Sequence, residues 1–259
     1  MQVSKRFCLK IVSALSILLF LLIWYLTTDV LKTVPPTSLP SPIKVCQTFV
    51  EKLHNTAPDG ATLGVHILAS LQVSLTGFTL GCVIGIPLGI FMAWFHRFDL
   101  LTKPVFDFLR TIPPIAFIPI MIILLGIGVL AKASIVFLSA FIPCVINTYT
   151  GIKATKPVHI WVAQTFGASR MRTLWKVAVP TALPFIFTGM KVSLNAAWTS
   201  LLAAEMLGSS KGLGFMIQMG RLLIRADVVV VGMITIGFIG FILSAILDYL
   251  ETTFVKGGA

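Results

Sequence analysis

Two places in this sequence have the residue types and spacing for chemistry: a carboxylate stranded in an apolar run, and a block of cations between apolar runs. Glu205 is the one acidic residue in the stretch from Pro184 to Leu207, and it stands just before GSSKGLG at 208–214. A charge within an apolar helix is costly and faces a partner or a watery interior. Two readings follow: a structural lock with Lys211, Arg221 or Arg225, or direct service to a solute path. GSSKGLG follows no strand and lacks the Walker spacing, which excludes a phosphate loop. Residues 153–184 carry Lys153, Lys156, His159, Arg170, Arg172 and Lys176 and no acid. Ser169 is placed to cap a short helix there, with Met171, Leu174 and Trp175 on one face and the cations on the others. That chemistry is docking.

Catalytic chemistry has no foothold. His54, His66, His96 and His159 are dispersed, and no Ser/His/Asp set or paired carboxylates can be assembled. Cys8, Cys46, Cys82 and Cys144 form no C-x-x-C pair and read as small apolar side chains. The expectation is a chain with no catalytic, metal or cofactor site of its own.

The elements that must position these residues are apolar helices. Hydrophobic residues make up 57% and charged residues 11% of the 259, and the mean hydropathy is +0.98, which excludes a soluble globular domain. The 20 basic residues against 9 acidic ones fall between apolar runs instead of forming one stripe, so they speak for membrane orientation and against nucleic acid. The expected fold is an all-α polytopic membrane protein with about six transmembrane helices.

Along the chain, Lys5, Arg6 and Lys10 precede an apolar run from Ile11 to Leu26 that no small-x-small cleavage site follows. Residues 1–26 therefore read as a retained anchor and not a signal peptide. Residues 27–60, with Pro35, Pro36, Pro40, Pro42 and Pro58, read as an extracytoplasmic linker, and 61–259 as the core. In the run from Gly64 to Trp94, Gly77, Gly81, Gly85 and Gly89 recur every four residues. That makes a bare stripe on which another helix can pack closely. Arg110, Pro113, Pro114 and Pro119 then interrupt an apolar stretch. Either the backbone breaks at membrane depth beside a cavity, which makes 110–120 a wall of a passage, or the helix is kinked. Further spans are expected near 133–149, 184–207 and 228–250, the last capped by Asp227. With both termini on the cytoplasmic side, 13 basic residues lie inside and 7 outside, or 11 against 7 once Arg110 and Lys191, which fall in apolar stretches, are set aside. The bias has the sign that places residues 153–184 in the cytoplasm.

The cationic segment resembles the cytoplasmic loop of permease subunits of ATP-binding-cassette importers, whose signature is Glu-Ala-Ala, three residues, Gly, nine residues and Ile-x-Leu-Pro. Trp161, Val162 and Ala163, then Gly167, then Val177, Val179 and Pro180 stand at that spacing. Trp161 replaces the Glu, so nothing that carboxylate does in relatives carries over. With PSP at 40–42, LRTIPPIAFIPIMIILLGIG at 109–128 and AAEMLGSSKGLG at 203–214, the chain resembles the nitrate, sulfonate and taurine branch over roughly residues 40–250.

The resemblance implies the type I importer permease fold, with a coupling loop at 153–184 in which Trp161, Val162, Ala163, Gly167, Ala168, Ser169, Arg170, Arg172 and Pro180 meet an ATPase. It implies a homodimer in the cytoplasmic (inner) membrane, two cytoplasmic ATP-binding-cassette ATPase subunits that hold ATP and Mg, and an extracytoplasmic solute-binding protein. The solute would be a small organic or inorganic anion such as a sulfonate, taurine or nitrate, though relatives also carry vitamin precursors. An ion-coupled secondary transporter is the alternative class, but it needs intramembrane carboxylates and inverted repeats, and Glu205 stands nearly alone.

Overall fold

The computed structural model describes residues 2–255; Lys256, counted above with the inner cations, lies outside them. The described residues form helices joined by short turns: α1 (Gln2–Tyr25), α2 (Pro42–His54), α3 (Leu63–Trp94), α4 (His96–Leu109), α5 (Ile118–Leu125), α6 (Val129–Lys153), α7 (Pro157–Thr165), α8 (Arg170–Thr173), α9 (Val179–Gly208), α10 (Leu213–Leu222) and α11 (Ala226–Val255). Among the described residues, α3, α6, the run Arg170–Gly208 and α11 are long and apolar enough to cross a membrane. The pair His96–Leu109 and Pro114–Leu125, bent by 80°, makes a fifth crossing if taken as one span, and a shorter apolar helix covers Leu15–Val30. Each of the expected apolar runs is thus helical, as backbone in lipid requires.

The chain divides into two compact units, Met1–His66 with Met216–Thr235 and Ile67–Phe215 with Ile236–Ala259. In the first, the segment read as a linker contains α2. Ser41 caps it, its Oγ accepting from the Lys44 amide at 3.2 Å, and Pro42 occupies the first turn, where a missing N–H does no harm. From α2, Thr48 donates to Asp227 Oδ2 at 2.7 Å. Asp227 was expected to cap α11 but sits inside its first turn, where Arg225 also grips it with two bonds of 2.9 and 2.7 Å. Lys52 is 2% exposed and donates to Asp59 Oδ1 at 2.6 Å and the Ala61 carbonyl at 2.7 Å. His66 Nε2 lies 3.4 Å from the same carboxylate oxygen. The apparent linker is therefore held by buried charge, the kind of pair whose single-sided removal costs about 3–5 kcal/mol.

In the second unit the glycine stripe of α3 faces α6. A Cβ added at Gly77 would stand 2.7 Å from Val136 Cβ, at Gly85 3.2 Å from Cys144 Cβ, and at Gly89 2.8 Å from Thr148 Cβ. Both helices advance four residues per contact, so one small residue after another lets the two backbones run side by side. On its other side α6 meets α9, where Ser193 donates to the Ala140 carbonyl at 2.6 Å and Ser139 to Ser200 Oγ at 2.6 Å. Ile90, Ala93, Ile152, Leu174, Ala178, Ala182 and Ile186 close a core at the end of these helices from which α7 and α8 project.

Candidate functional site

The cationic segment begins with α7, which leaves Val158, Trp161, Val162 and Phe166 exposed, Phe166 at 87%. The helix ends in a Schellman turn. Ala168 N–H donates to the Ala163 carbonyl at 3.0 Å and Gly167 N–H to that of Gln164 at 2.9 Å, with Gly167 at φ +78°. A Cβ on Gly167 would meet nothing within 4 Å, so the left-handed conformation, and not a close approach within this chain, is what calls for glycine. The turn also accounts for the motif spacing, because the left-handed residue of a Schellman turn stands four places after the residue whose carbonyl closes it, here Ala163.

Ser169 caps the next turn as expected, its Oγ accepting from Arg172 N–H at 3.3 Å. The shared face of Met171, Leu174 and Trp175 does not form. One α-turn gives way to the wider π-turn Leu174–Ala178, which turns Leu174 fully into the core while Met171 and Trp175 stay 44% and 51% exposed. Arg170 donates to the Trp94 carbonyl at 2.9 Å and lies 5.4 Å from the Phe95 ring centroid, while staying exposed. It ties the segment to the α3–α4 corner, and Lys153, Lys156, Arg172 and Lys176 are exposed beside it. From Arg170 the helical path continues to Gly208 without interruption, and Pro180 lies in the first turn of α9.

Glu205 is 1% exposed at the far end of α9. Ser70 Oγ lies 2.8 and 2.9 Å from its two carboxylate oxygens, Gly214 N–H donates to Oε2 at 2.9 Å, and Leu213 N–H donates to Ser70 Oγ at 2.8 Å. Gly212 has φ +128°, and a Cβ there would fall on the carboxylate. The 208–214 turn is thus wrapped around Glu205 and presents amides to it. Lys132 reaches Glu205 with its field and donates to Ser209 Oγ at 2.9 Å, while Arg225 is engaged by Asp227 and Arg221 is an exposed residue in the last turn of α10. Neither Ser70 nor Lys132 carries a sequence signal, since each is one polar residue at the margin of an apolar helix.

The proline-rich stretch breaks at Arg110–Pro113 and resumes as a 3₁₀ turn, Pro114–Phe117, before α5, which decides between the broken and the kinked helix. Arg110 Nε lies 2.9 Å from Asp107 Oδ1, and both side chains are about half exposed at 44% and 40%. Arg110 and Pro114 line a cleft of about 380 Å³ with Ser139, Thr199 and Ser200.

Residues 85–256 match the family described as binding-protein-dependent transport system inner membrane component. The chain is 36% identical to the taurine transport system permease protein TauC of Escherichia coli strain K12, over 89% of this chain and 84% of that protein. It is 30% identical to the nitrate import permease protein NrtB of Synechocystis, over 93% and 88%. Its fold resembles a chain of the inward-facing MetNI methionine ABC transporter, with a TM-score of 0.66 at 19% identity, covering 74% of this chain and 95% of that one. The apolar crossings, the coupling-type segment and these relationships make this multi-pass inner-membrane chain a member of the binding-protein-dependent transport system inner membrane component family, the permease subunits of ATP-binding-cassette importers.

Proposed function

We propose that two copies of this chain form the membrane pathway of an importer for a small oxyanion of the sulfonate, taurine or nitrate kind. Two cytoplasmic ATPase subunits grip residues 157–176 and carry ATP and Mg, and a binding protein delivers solute from outside. Both termini lie in the cytoplasm, residues 1–26 anchor the chain, 27–60 stay outside, and 61–259 build the permease core. The observation that carries this reading is mechanical. The segment from Arg170 is continuous with α9, a run of 39 residues that extends to about 58 Å at 1.5 Å per residue, well beyond a hydrocarbon core of about 30 Å. A push on the exposed α7 face is thereby passed, through the buried Leu174 root, into the helix that holds Glu205.

Arg110, Pro113 and Pro114 belong to the pathway wall in this reading, and the names of the taurine and nitrate relatives support the solute class. Co-expression with ATPase and binding-protein subunits of the same importer type tests the assembly. The wild type should retain the ATPase through purification and show hydrolysis stimulated by loaded binding protein, and a Trp161→Asp, Phe166→Asp double variant should lose both. A stable chain that never retains an ATPase would refute the assignment of partners.

A further inference from the structure

Arg110 is the shared wall of two clefts. The larger, of about 380 Å³, is bordered by Ser139, Thr199 and Ser200; the smaller, of about 190 Å³, is bordered by Lys103, Asp107 and Tyr149. Lys103 on α4 and Arg110, the helical residue that caps its end, are seven residues apart, hence on one face and about 10 Å apart along the axis. α4 starts beside the coupling segment, because the Trp94 carbonyl just before it accepts from Arg170. The two cations therefore mark successive depths above that end. A third follows: Lys153 Nζ, like Lys103 Nζ, approaches the Tyr149 ring, at 5.6 and 5.4 Å from its centroid.

The two acids of α4 nearest these cations each have one contact of their own. Asp99 is buried and accepts from Tyr149 Oη at 3.0 Å, and Asp107 holds Arg110 at 2.9 Å. A half-exposed ion pair contributes little to stability, and charge within a membrane span is expensive unless it borders water or a partner. The broken backbone at 110–113 has the same requirement. Charge, exposure and irregular backbone coincide on this one wall.

We propose that Lys103 and Arg110 are successive steps of an anion ladder along the pathway, with Asp107 as the tethered carboxylate that occupies Arg110 when no solute anion is there. The proposal rests on the pathway reading above and adds its chemistry: the Arg110 guanidinium, with several N–H donors at the edge of a cleft that Ser200 also borders, suits a small oxyanion that accepts several hydrogen bonds, and the oxyanion then passes toward Lys103 and Lys153.

The test uses the complete transporter in proteoliposomes, with the native cysteines replaced and a reporter cysteine at Thr199 or Thr150, the latter in the smaller cleft. The probes are two thiol reagents of similar size, methanethiosulfonate ethylsulfonate, an anion, and its trimethylammonium counterpart, a cation. At Thr199→Cys the anionic reagent should react faster, and Arg110→Gln should lower the anion-to-cation rate ratio by about tenfold, the scale of focusing by charge in a cleft. Arg110→Lys should keep most of the ratio and Asp107→Asn should raise it. At Thr150→Cys, Lys103→Gln should lower the ratio, an arm that decides the matter even where Arg110→Gln does not assemble. Ratios that ignore these substitutions would overturn the ladder. Uptake of taurine and of nitrate by the wild type separates the two levels: charge-dependent ratios without uptake of either would sink the oxyanion-importer reading and leave the ladder, whereas uptake with indifferent ratios would sink the ladder alone.

Discussion

Gly81 lies so close to Ala140 that a Cβ added to it would stand 2.7 Å from the Ala140 Cβ and 3.0 Å from the Phe141 amide nitrogen. Backbone cannot swing aside as a flexible side chain can, so the contact fixes the α3–α6 separation. Gly81→Leu should force the helices apart at a cost of at least about 1–3 kcal/mol and lower the melting temperature of the detergent-purified chain, with Gly77→Leu behaving alike. Leu80→Ile, at a position 46% exposed, should melt like wild type. Unchanged melting in both glycine variants would show that α3 and α6 can separate freely.

That stripe shows what a sequence of this kind reveals. A spacing of four puts Gly77, Gly81, Gly85 and Gly89 on one helix face whatever surrounds them, so the packing face is legible. Its partner is not, because any row of small residues fits it, and Val136, Ala140, Cys144 and Thr148 do not stand out in α6. Gly167 is legible for a related reason: a Schellman turn is local and states its own spacing. Glu205 and Arg170 are visible as charges, but the groups they meet within the fold are not. Ser70 is 135 positions from Glu205, and Arg170 is satisfied by a main-chain carbonyl 76 positions away, which no residue type announces. α2 was hidden by its prolines. Two of them, Pro40 and Pro42, flank the Ser41 cap and start the helix instead of breaking it.

The Glu205 lock predicts a graded pair of variants. Glu205→Gln replaces an oxygen that faces N–H and O–H donors by an amide nitrogen with hydrogens of its own, leaving buried donors short of an acceptor at about 1–3 kcal/mol. Ser70→Ala removes one donor to the carboxylate and the acceptor of Leu213 N–H, and should be similar in size. Both should increase proteolysis within residues 208–214, while Lys211→Gln, on the exposed side of that turn, should not. Wild-type protease resistance in Glu205→Gln would rule out the lock.

Asp59 gives a pH dependence. Its burial alone would raise the carboxyl pKa, but hydrogen bonds and charge from His66 and Lys52 outweigh this and hold it below the ordinary carboxylate value. A carboxylate whose pKa is lower in the folded state stabilises fully above the unfolded value and loses that contribution as pH falls through the folded one. The stability gap between wild type and Asp59→Asn, followed by chemical denaturation of the first unit, should therefore be constant above about pH 5 and shrink below about pH 4. A gap that stays flat down to pH 3 would mean that the fold does not lower the Asp59 pKa.

The coupling segment predicts a separation of folding from transport. Gly167→Val places a β-branched residue at φ +78°, at a cost of about 1–2 kcal/mol. Gly167→Asn, which tolerates that region better, should cost less. Because a side chain at 167 meets nothing within 4 Å, neither variant disturbs the core under Leu174, and both should insert and melt nearly as wild type does. What changes is the angle at which α7 meets α8, and with it the presentation of Trp161 and Phe166 to the ATPase. Stimulated ATP hydrolysis and uptake by the reconstituted complex should fall in the order wild type, Gly167→Asn, Gly167→Val, at equal amounts of inserted protein. Equal activity in all three would show that the left-handed turn is dispensable for coupling, and that the exposed face of α7 acts without a fixed orientation.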